Sequence, residues 1–264
     1  IESVVAAAPH GTNWFQLYMW KDRDASLELI KRAEEAGIDN LILTVDVPVA
    51  GARLRDNRNG LTVPPKINFK TLMNAVPRVE WWWNFLTKPS LEFASMSTWE
   101  GTVAELLDFM FDPTMTFEDL KWIRKVWNRS LTVKGIQNVE DARLAEKSGA
   151  DAIILSNHGG RQLDRAPIPF HLIPEVRKKI SRSTELHVDT GVMNGADVIA
   201  SIALGADFVY IGRAYLYGLM AGGQQGVERA LGILQTEMTR TMKLLGARSL
   251  SDLRSELVSI PSRI

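Results

Sequence analysis

The chain contains no cysteine. That excludes structural disulfides, thiolate catalysis and cysteine-bound zinc, and it is compatible with a reducing compartment. No apolar run reaches the roughly 18 residues that a membrane-spanning helix needs. An excess of one charge is missing too, since 31 Lys and Arg face 31 Asp and Glu. Nothing in the balance favours nucleic acid or an acidic surface. Histidine is scarce, and none of the four stands at metal-ligand spacing from another or from carboxylates. No metal site is expected. The first residues show no signal-peptide layout.

What is present is an ordinary globular composition over 264 residues, enough for one α/β barrel or two smaller domains. The most informative stretch starts with the apolar run Ala152–Ser156. It stops at Asn157-His158-Gly159-Gly160-Arg161-Gln162-Leu163-Asp164. A histidine moves protons near neutral pH, and an arginine grips a planar carboxylate with two parallel hydrogen bonds. The glycines between them let the backbone bend. The pair reads as a base beside an anion clamp.

Strand-like and helix-like segments alternate along the chain. Strands are expected at Trp14–Tyr18, Leu41–Val47, Ser130–Lys134, Ala152–Ser156, Leu186–Asp189 and Phe208–Ile211. Helices are expected at Ala25–Ala36, Phe117–Val126, Val139–Lys147, Pro174–Ile180, Gly195–Leu204 and Tyr215–Met220, with an amphipathic tail from Gly226. Alternation implies a parallel sheet with right-handed crossovers. Three near copies, Glu35-Ala36-Gly37-Ile38-Asp39, Lys147-Ser148-Gly149-Ala150-Asp151 and Ala203-Leu204-Gly205-Ala206-Asp207, each read as a helix-ending glycine feeding a strand. The recurring unit favours a TIM (β/α)8 barrel over a doubly wound sheet. About six of eight units are counted, so about two N-terminal units are expected to lie outside this chain. The whole of 1–264 is read as one barrel domain.

Polar residues end each strand in phase: Tyr18, Asp46, Lys134, His158, Asp189 and Arg213. In such barrels that face holds the active site. Asp46 and Lys134 stand 88 residues apart, against 24 between Lys134 and His158. One connection, at about 51–116, therefore carries an insertion on the order of 60 residues, the length of a lid or partner surface. It contains Trp81-Trp82-Trp83, Phe85 and Leu86. Two readings stay open: a mobile loop packing on the barrel or a neighbouring subunit, and a patch dipping into a lipid interface.

The Asp189–Gly195 loop and Ile211-Gly212-Arg213 suit a phosphate, through glycines, a helix N-terminus and a charged clamp. Lys134 either stabilises an anionic ring or enolate or sits in a buried ion pair with Asp46 or Asp189. His10 and His171 are weaker candidates, and His187 reads as a packed strand histidine.

Taken together, the Ser156–Asp164 motif, Phe15–Tyr18, Leu43–Pro48, Gly51-Ala52-Arg53, Val133-Lys134-Gly135 and Ile211-Gly212-Arg213 resemble the FMN-dependent 2-hydroxy-acid dehydrogenases and oxidases. The resemblance covers nearly the whole chain and is nearest to the members that oxidise L-lactate. It implies FMN as cofactor, with Gln16, Thr44, Lys134 and Ser156 at the flavin. Gly191, Gly212 and Arg213 would hold the phosphate, and Asp189 the ribityl chain. Tyr18, Arg53 and Arg161 would bind the substrate. His158 would be the base, supported by Asp46, with Lys134 completing the catalytic set. Where many members place an arginine in the phosphate loop, this sequence has Met193.

The resemblance further implies oxidation of an L-2-hydroxy acid, L-lactate to pyruvate first, with a quinone or similar acceptor. It also implies a homotetramer and a cytoplasmic location. Peripheral contact with the inner membrane through Trp81–Trp83 goes with the lipid reading of the insertion. Two alternatives remain: an oxygen-using oxidase of glycolate or longer acids, and a non-catalytic flavin- or phosphate-binding barrel.

Overall fold

The computed structural model describes residues 1–49, 51, 58, 69–88 and 110–260. Strands β1 (Trp14–Tyr18), β2 (Asn40–Thr44), β3 (Ser130–Ile136), β4 (Ala152–Leu155), β5 (Glu185–Val188) and β6 (Phe208–Val209) form one sheet in chain order. Every pairing is parallel. The helices are α1 (Glu2–Ala7), α2 (Arg23–Glu35), α3 (Phe69–Ala75), α4 (Val79–Thr87), α5 (Phe117–Val126), α6 (Val139–Lys147), α7 (Pro169–Arg177), α8 (Gly195–Ala203) and α9 (Arg213–Leu245). Of these, α2, α5, α6, α7 and α8 supply the crossovers that parallel neighbours require. The sheet curls until Trp14 of β1 stands 6.1 Å from Phe208 and 5.8 Å from Tyr210, ring centre to ring centre. This is a partial (β/α)8 barrel, as expected.

Period-two alternation sorts the side chains. Leu41, Leu43, Leu131, Val133, Ile153, Leu155, Leu186 and Val188 are almost fully buried in the core. Ile30, Ala33, Ile123, Ala145, Ile173 and Val176 from the helices share that core. Burying one such Leu or Ile contributes about 1.5–3 kcal/mol. The alternate residues, among them Gln16, Tyr18, Lys134 and Ile154, line the space inside the curl.

The three near copies have a physical basis. Gly37, Gly149 and Gly205 all take positive φ. The next N–H reaches back five residues, from Ile38 to Ala33, Ala150 to Ala145 and Ala206 to Ser201. That bond closes the helix end. In the second and third copies the aspartate that follows then ties down the neighbouring strand. Asp151 accepts from Leu131 N and Arg124, and Asp207 accepts from Leu186 N and Arg177.

Several boundaries differ from the sequence expectation, and four of the differences bear on the site or on the packing beside it. Strand β2 ends at Thr44 rather than Val47, so Asp46 stands two residues beyond it. Strand β6 ends at Val209 rather than Ile211. Helix α7 starts at Pro169, five residues before Pro174, because a proline at the first helical position costs no hydrogen bond. The helix at Tyr215–Met220 and the amphipathic tail are the two arms of α9, which breaks at Gly222 and Gly223. A Cβ on Gly218 would meet the backbone of Gly226, and the reverse. A straight helix would hold those residues about 12 Å apart, so the arms fold back on each other.

Residues Ala52–Met110 form a second compact unit. Within it, the Trp82 indole donates to Ala75 O at 3.0 Å. Trp81 stacks on Phe85 with ring centres 5.0 Å apart. Trp83, Phe85 and Leu86 are exposed.

Candidate active site

The site begins with a missing side chain. Gly135 of β3 has φ +111, and a Cβ there would collide with Asp46. The strand pairing slips at this point, between Lys134 and Ile136. The vacated space lets the loop after β2 press the Asp46 carboxylate fully inside, at 0% side-chain exposure. A buried carboxylate needs partners. Asp46 Oδ1 lies 3.1 Å from His158 Nδ1, and Oδ2 accepts from Ser156 Oγ at 3.4 Å. Lys134 Nζ stands 3.9 Å from Asp46 Oδ2 and 3.2 Å from Asp189 Oδ2. It also donates to Ser156 Oγ at 3.0 Å. The ion pair anticipated for Lys134 is present with both carboxylates. It does not exclude a part in chemistry, because the same residue lines the pocket.

His158 adopts φ +56, a conformation that costs a non-glycine residue roughly 1–3 kcal/mol. The surroundings enforce it. Its N–H donates to Ser156 Oγ, Gly160 N donates to Asn157 Oδ1, and Gly159 N donates to Thr190 Oγ1. With a carboxylate accepting at Nδ1, the basic nitrogen is Nε2.

A pocket of about 420 Å³ opens in front of these groups. Gln16, Tyr18, Lys134, His158, Arg161 and Asp189 line it, together with Gly191, Gly212 and Arg213. Gln16 donates to Thr44 Oγ1 at 2.7 Å. The Tyr18 ring stacks on Phe111, 4.8 Å between centres. Arg213 heads α9 and donates to Gly159 O at 2.9 Å. Asp46, Thr44 and Ser156 stand directly behind the lining. Arg53 lies outside the described residues.

The two glycine-bearing loops differ at their helices. At α8, Asn194 Oδ1 accepts from Asp197 N, and Asp197 accepts from Met193 N and Asn194 N. Glu237 accepts from Gly195 N. That helix start, expected to help hold phosphate, is already supplied with acceptors. At α9, Gly212 provides no side-chain cap.

Sequence reasoning missed Tyr210 and Thr190. Tyr210 lines the pocket, and its hydroxyl stands 3.2 Å from His187 Nδ1. Its place two residues after Phe208 was the available signal. Thr190, at φ +78, carries Gly159; nothing local announced it. His187 is the packed histidine expected, with Nε2 2.8 Å from Glu185. Burial pushes its pKa down. Among the described residues, no group of three or more His, Asp or Glu could hold a metal ion.

A curled parallel sheet with its polar groups gathered at the carboxyl ends of the strands defines a barrel protein built to bind and react at that face. Comparison makes the class specific. The model of the family "FMN-dependent dehydrogenase" matches residues 1–260, and the chain belongs to that family, whose cofactor is FMN.

The chain is 56% identical over 253 residues to the protein named "Putative L-lactate dehydrogenase" of Mycobacterium tuberculosis, covering 96% of this chain and 61% of the relative. It is 38% identical over 267 residues to an L-lactate dehydrogenase of Xanthomonas campestris, covering 98% and 69%. Among solved structures, the monotopic membrane protein (S)-mandelate dehydrogenase superposes with a TM-score of 0.89 at 33% identity, over 97% of this chain and 69% of that one. A mandelate oxidase gives 0.77 at 36%, over 96% and 65%. The chain thus spans between three fifths and seven tenths of these relatives' lengths.

The residues present fit FMN. An uncapped helix start with Arg213 beside it suits a phosphate dianion. At Gly191 and Gly212, no atom stands within 4 Å of where a Cβ would be, so a ligand can approach the backbone. Gln16, Thr44 and Lys134 offer polar groups to a ring.

Proposed function

We propose that the protein oxidises an L-2-hydroxy acid to the 2-oxo acid, with L-lactate as its substrate and a quinone as electron acceptor. The observation that carries this reading is the buried Asp46 carboxylate 3.1 Å from His158 Nδ1, with Arg161 on the same pocket. The names of the lactate-oxidising relatives support the choice of substrate.

Arg161 grips the substrate carboxylate with its planar fork, and Tyr18 bonds the neighbouring oxygen. The family resemblance assigns Arg53 to the same carboxylate. Fixing the acid there orients its α-carbon. His158 Nε2 accepts a proton as the acid is oxidised. Asp46, held out of water, stabilises the resulting imidazolium. Lys134, on the pocket wall, would offer its ammonium to the negative charge that the flavin gains on reduction. Gln16, Thr44 and Ser156 would hold the ring of FMN, Asp189 its ribityl chain, and Gly191, Gly212 and Arg213 its phosphate. When bound, FMN supplies the two-electron acceptor.

The exposed face of Trp83, Phe85 and Leu86 gives the protein peripheral contact with the inner membrane from a cytoplasmic position. Among the described residues no helix is long and apolar enough to cross a membrane. Assembly is as a homo-oligomer.

The test is anaerobic bleaching of the flavin in the holoprotein by a panel of L-2-hydroxy acids. Lactate is expected to bleach fastest, and His158→Gln to slow bleaching at least a hundredfold with FMN retained. Bleaching by the variant at the wild-type rate would refute the role of His158. Likeness to the mandelate enzymes supports a second reading, an aromatic 2-hydroxy acid. Faster bleaching by mandelate would establish it. Peroxide formed in air, without quinone reduction, would mark an oxidase instead.

A further inference from the structure

Gln162 stands next to Arg161 and has no part in the scheme above. Its amide closes a reciprocal pair of bonds to the loop after β2. Nε2 donates to Val49 O at 3.2 Å, and Oε1 accepts from Gly51 N at 3.2 Å. One planar amide thereby reads two backbone groups more than 110 positions away in sequence. The contact is close. A Cβ on Gly51 would stand 2.5 Å from Gln162 Oε1 and 2.6 Å from Arg161 O, so only glycine permits it.

We propose that Gln162 is a positioning residue for substrate, a clasp that locks the Arg161 loop to the loop carrying Asp46. This rests on the proposed role of Arg161. The geometry supports it in three ways. The clasp is one residue from the arginine and three from Asp46 along the β2 loop. It bonds on one side only to backbone, so it sets loop position rather than side-chain chemistry. It also fastens the chain at Gly51, where the unit Ala52–Met110 departs. Arg161 itself is exposed, and an exposed arginine loses much conformational entropy when held in one geometry. A loop pinned beside it removes the backbone's share of that ordering before substrate arrives.

Two variants test the clasp in the holoprotein. Gln162→Leu removes both bonds. Gln162→Glu keeps the acceptor and loses the donor while its carboxyl is ionised. Losing two modest hydrogen bonds is expected to raise KM for the hydroxy acid about tenfold, with kcat changed less than about twofold. Oxalate affinity, read from the flavin absorbance, falls by the same factor, and protease cleavage within 52–110 quickens. For Gln162→Glu, a protonated carboxyl restores a donor. Its oxalate affinity, relative to wild type, recovers as pH falls toward 5, whereas that of Gln162→Leu does not.

Unchanged KM and oxalate affinity in both variants would overturn the clasp. So would a parallel loss of kcat, FMN retention and stability, which marks ordinary structural damage. Arg161→Ala separates the two ideas. If it leaves oxalate binding intact, the reading of Arg161 fails. If it abolishes binding while the Gln162 variants do nothing, only the clasp fails.

Discussion

Helices α8 and α9 both start at a glycine-bearing loop just past a strand end, yet their N-termini are opposites. At α8, the Asn194, Asp197 and Glu237 side chains all accept from the first N–H groups. At α9, no side chain caps the start, and Arg213 stands in the first position. A helix start carries partial positive charge and unpaired donors. The protein supplies its own acceptors to one and leaves the other without a side-chain cap, as the proposed phosphate role of Arg213 requires. Two similar glycine patterns in sequence therefore lead to helix starts of opposite character, one filled by side chains and one open.

Four substitutions test that contrast. The largest effect belongs to Gly195→Ala, since a Cβ there would strike the backbone of Leu234, Glu237 and Met238. Urea unfolding should show a loss of about 3 kcal/mol. An unchanged midpoint would mean that α8 and α9 part easily. Next, Arg213→Ala should weaken FMN binding by about 2 kcal/mol, roughly thirtyfold, in a flavin-release titration with little change in folding of the apoprotein. Asn194→Ala removes an N-cap and should cost about 1 kcal/mol of stability. FMN affinity should stay as it was. Glu237→Gln should be mildest, about 0.5 kcal/mol by the same unfolding assay. If it weakened FMN binding as much as Arg213→Ala, the proposed division between the two helix starts would collapse.

Local pattern carried much of this molecule. Each strand was foreseen because continuous apolar runs mark a sheet covered on both faces. The glycine after α2, α6 and α8 was legible because only glycine takes that conformation without strain. Asp46 and His158 were visible as polar ends of apolar runs. Their hydrogen bond joins positions 112 apart, and it was reachable only through the resemblance. Glu237 could not be placed at all. On a helical wheel it is one more exposed carboxylate of an amphipathic helix, and its bond to Gly195 arises from packing between elements. The fold-back of α9 was half legible, as a gap between two helical segments. Gly222 and Gly223 marked the break, but the contact between Gly218 and Gly226 needs the third dimension. Asp46 was assigned to its strand because apolar alternation continues through Val45 and Val47. The close approach of Gly135 decides otherwise.

The double glycine in α9 also acts as the zero mark of a ruler. From Gly226 the second arm advances about 1.5 Å and turns about 100° per residue. That count alone decides that Glu237 arrives opposite Gly195 N. One residue inserted between them would swing the carboxylate a quarter-turn away and present a neighbour to the start of α8. The length of that arm, more than its amphipathic character, is therefore under constraint, and changes in its sequence should be tolerated where changes in its number of residues are not.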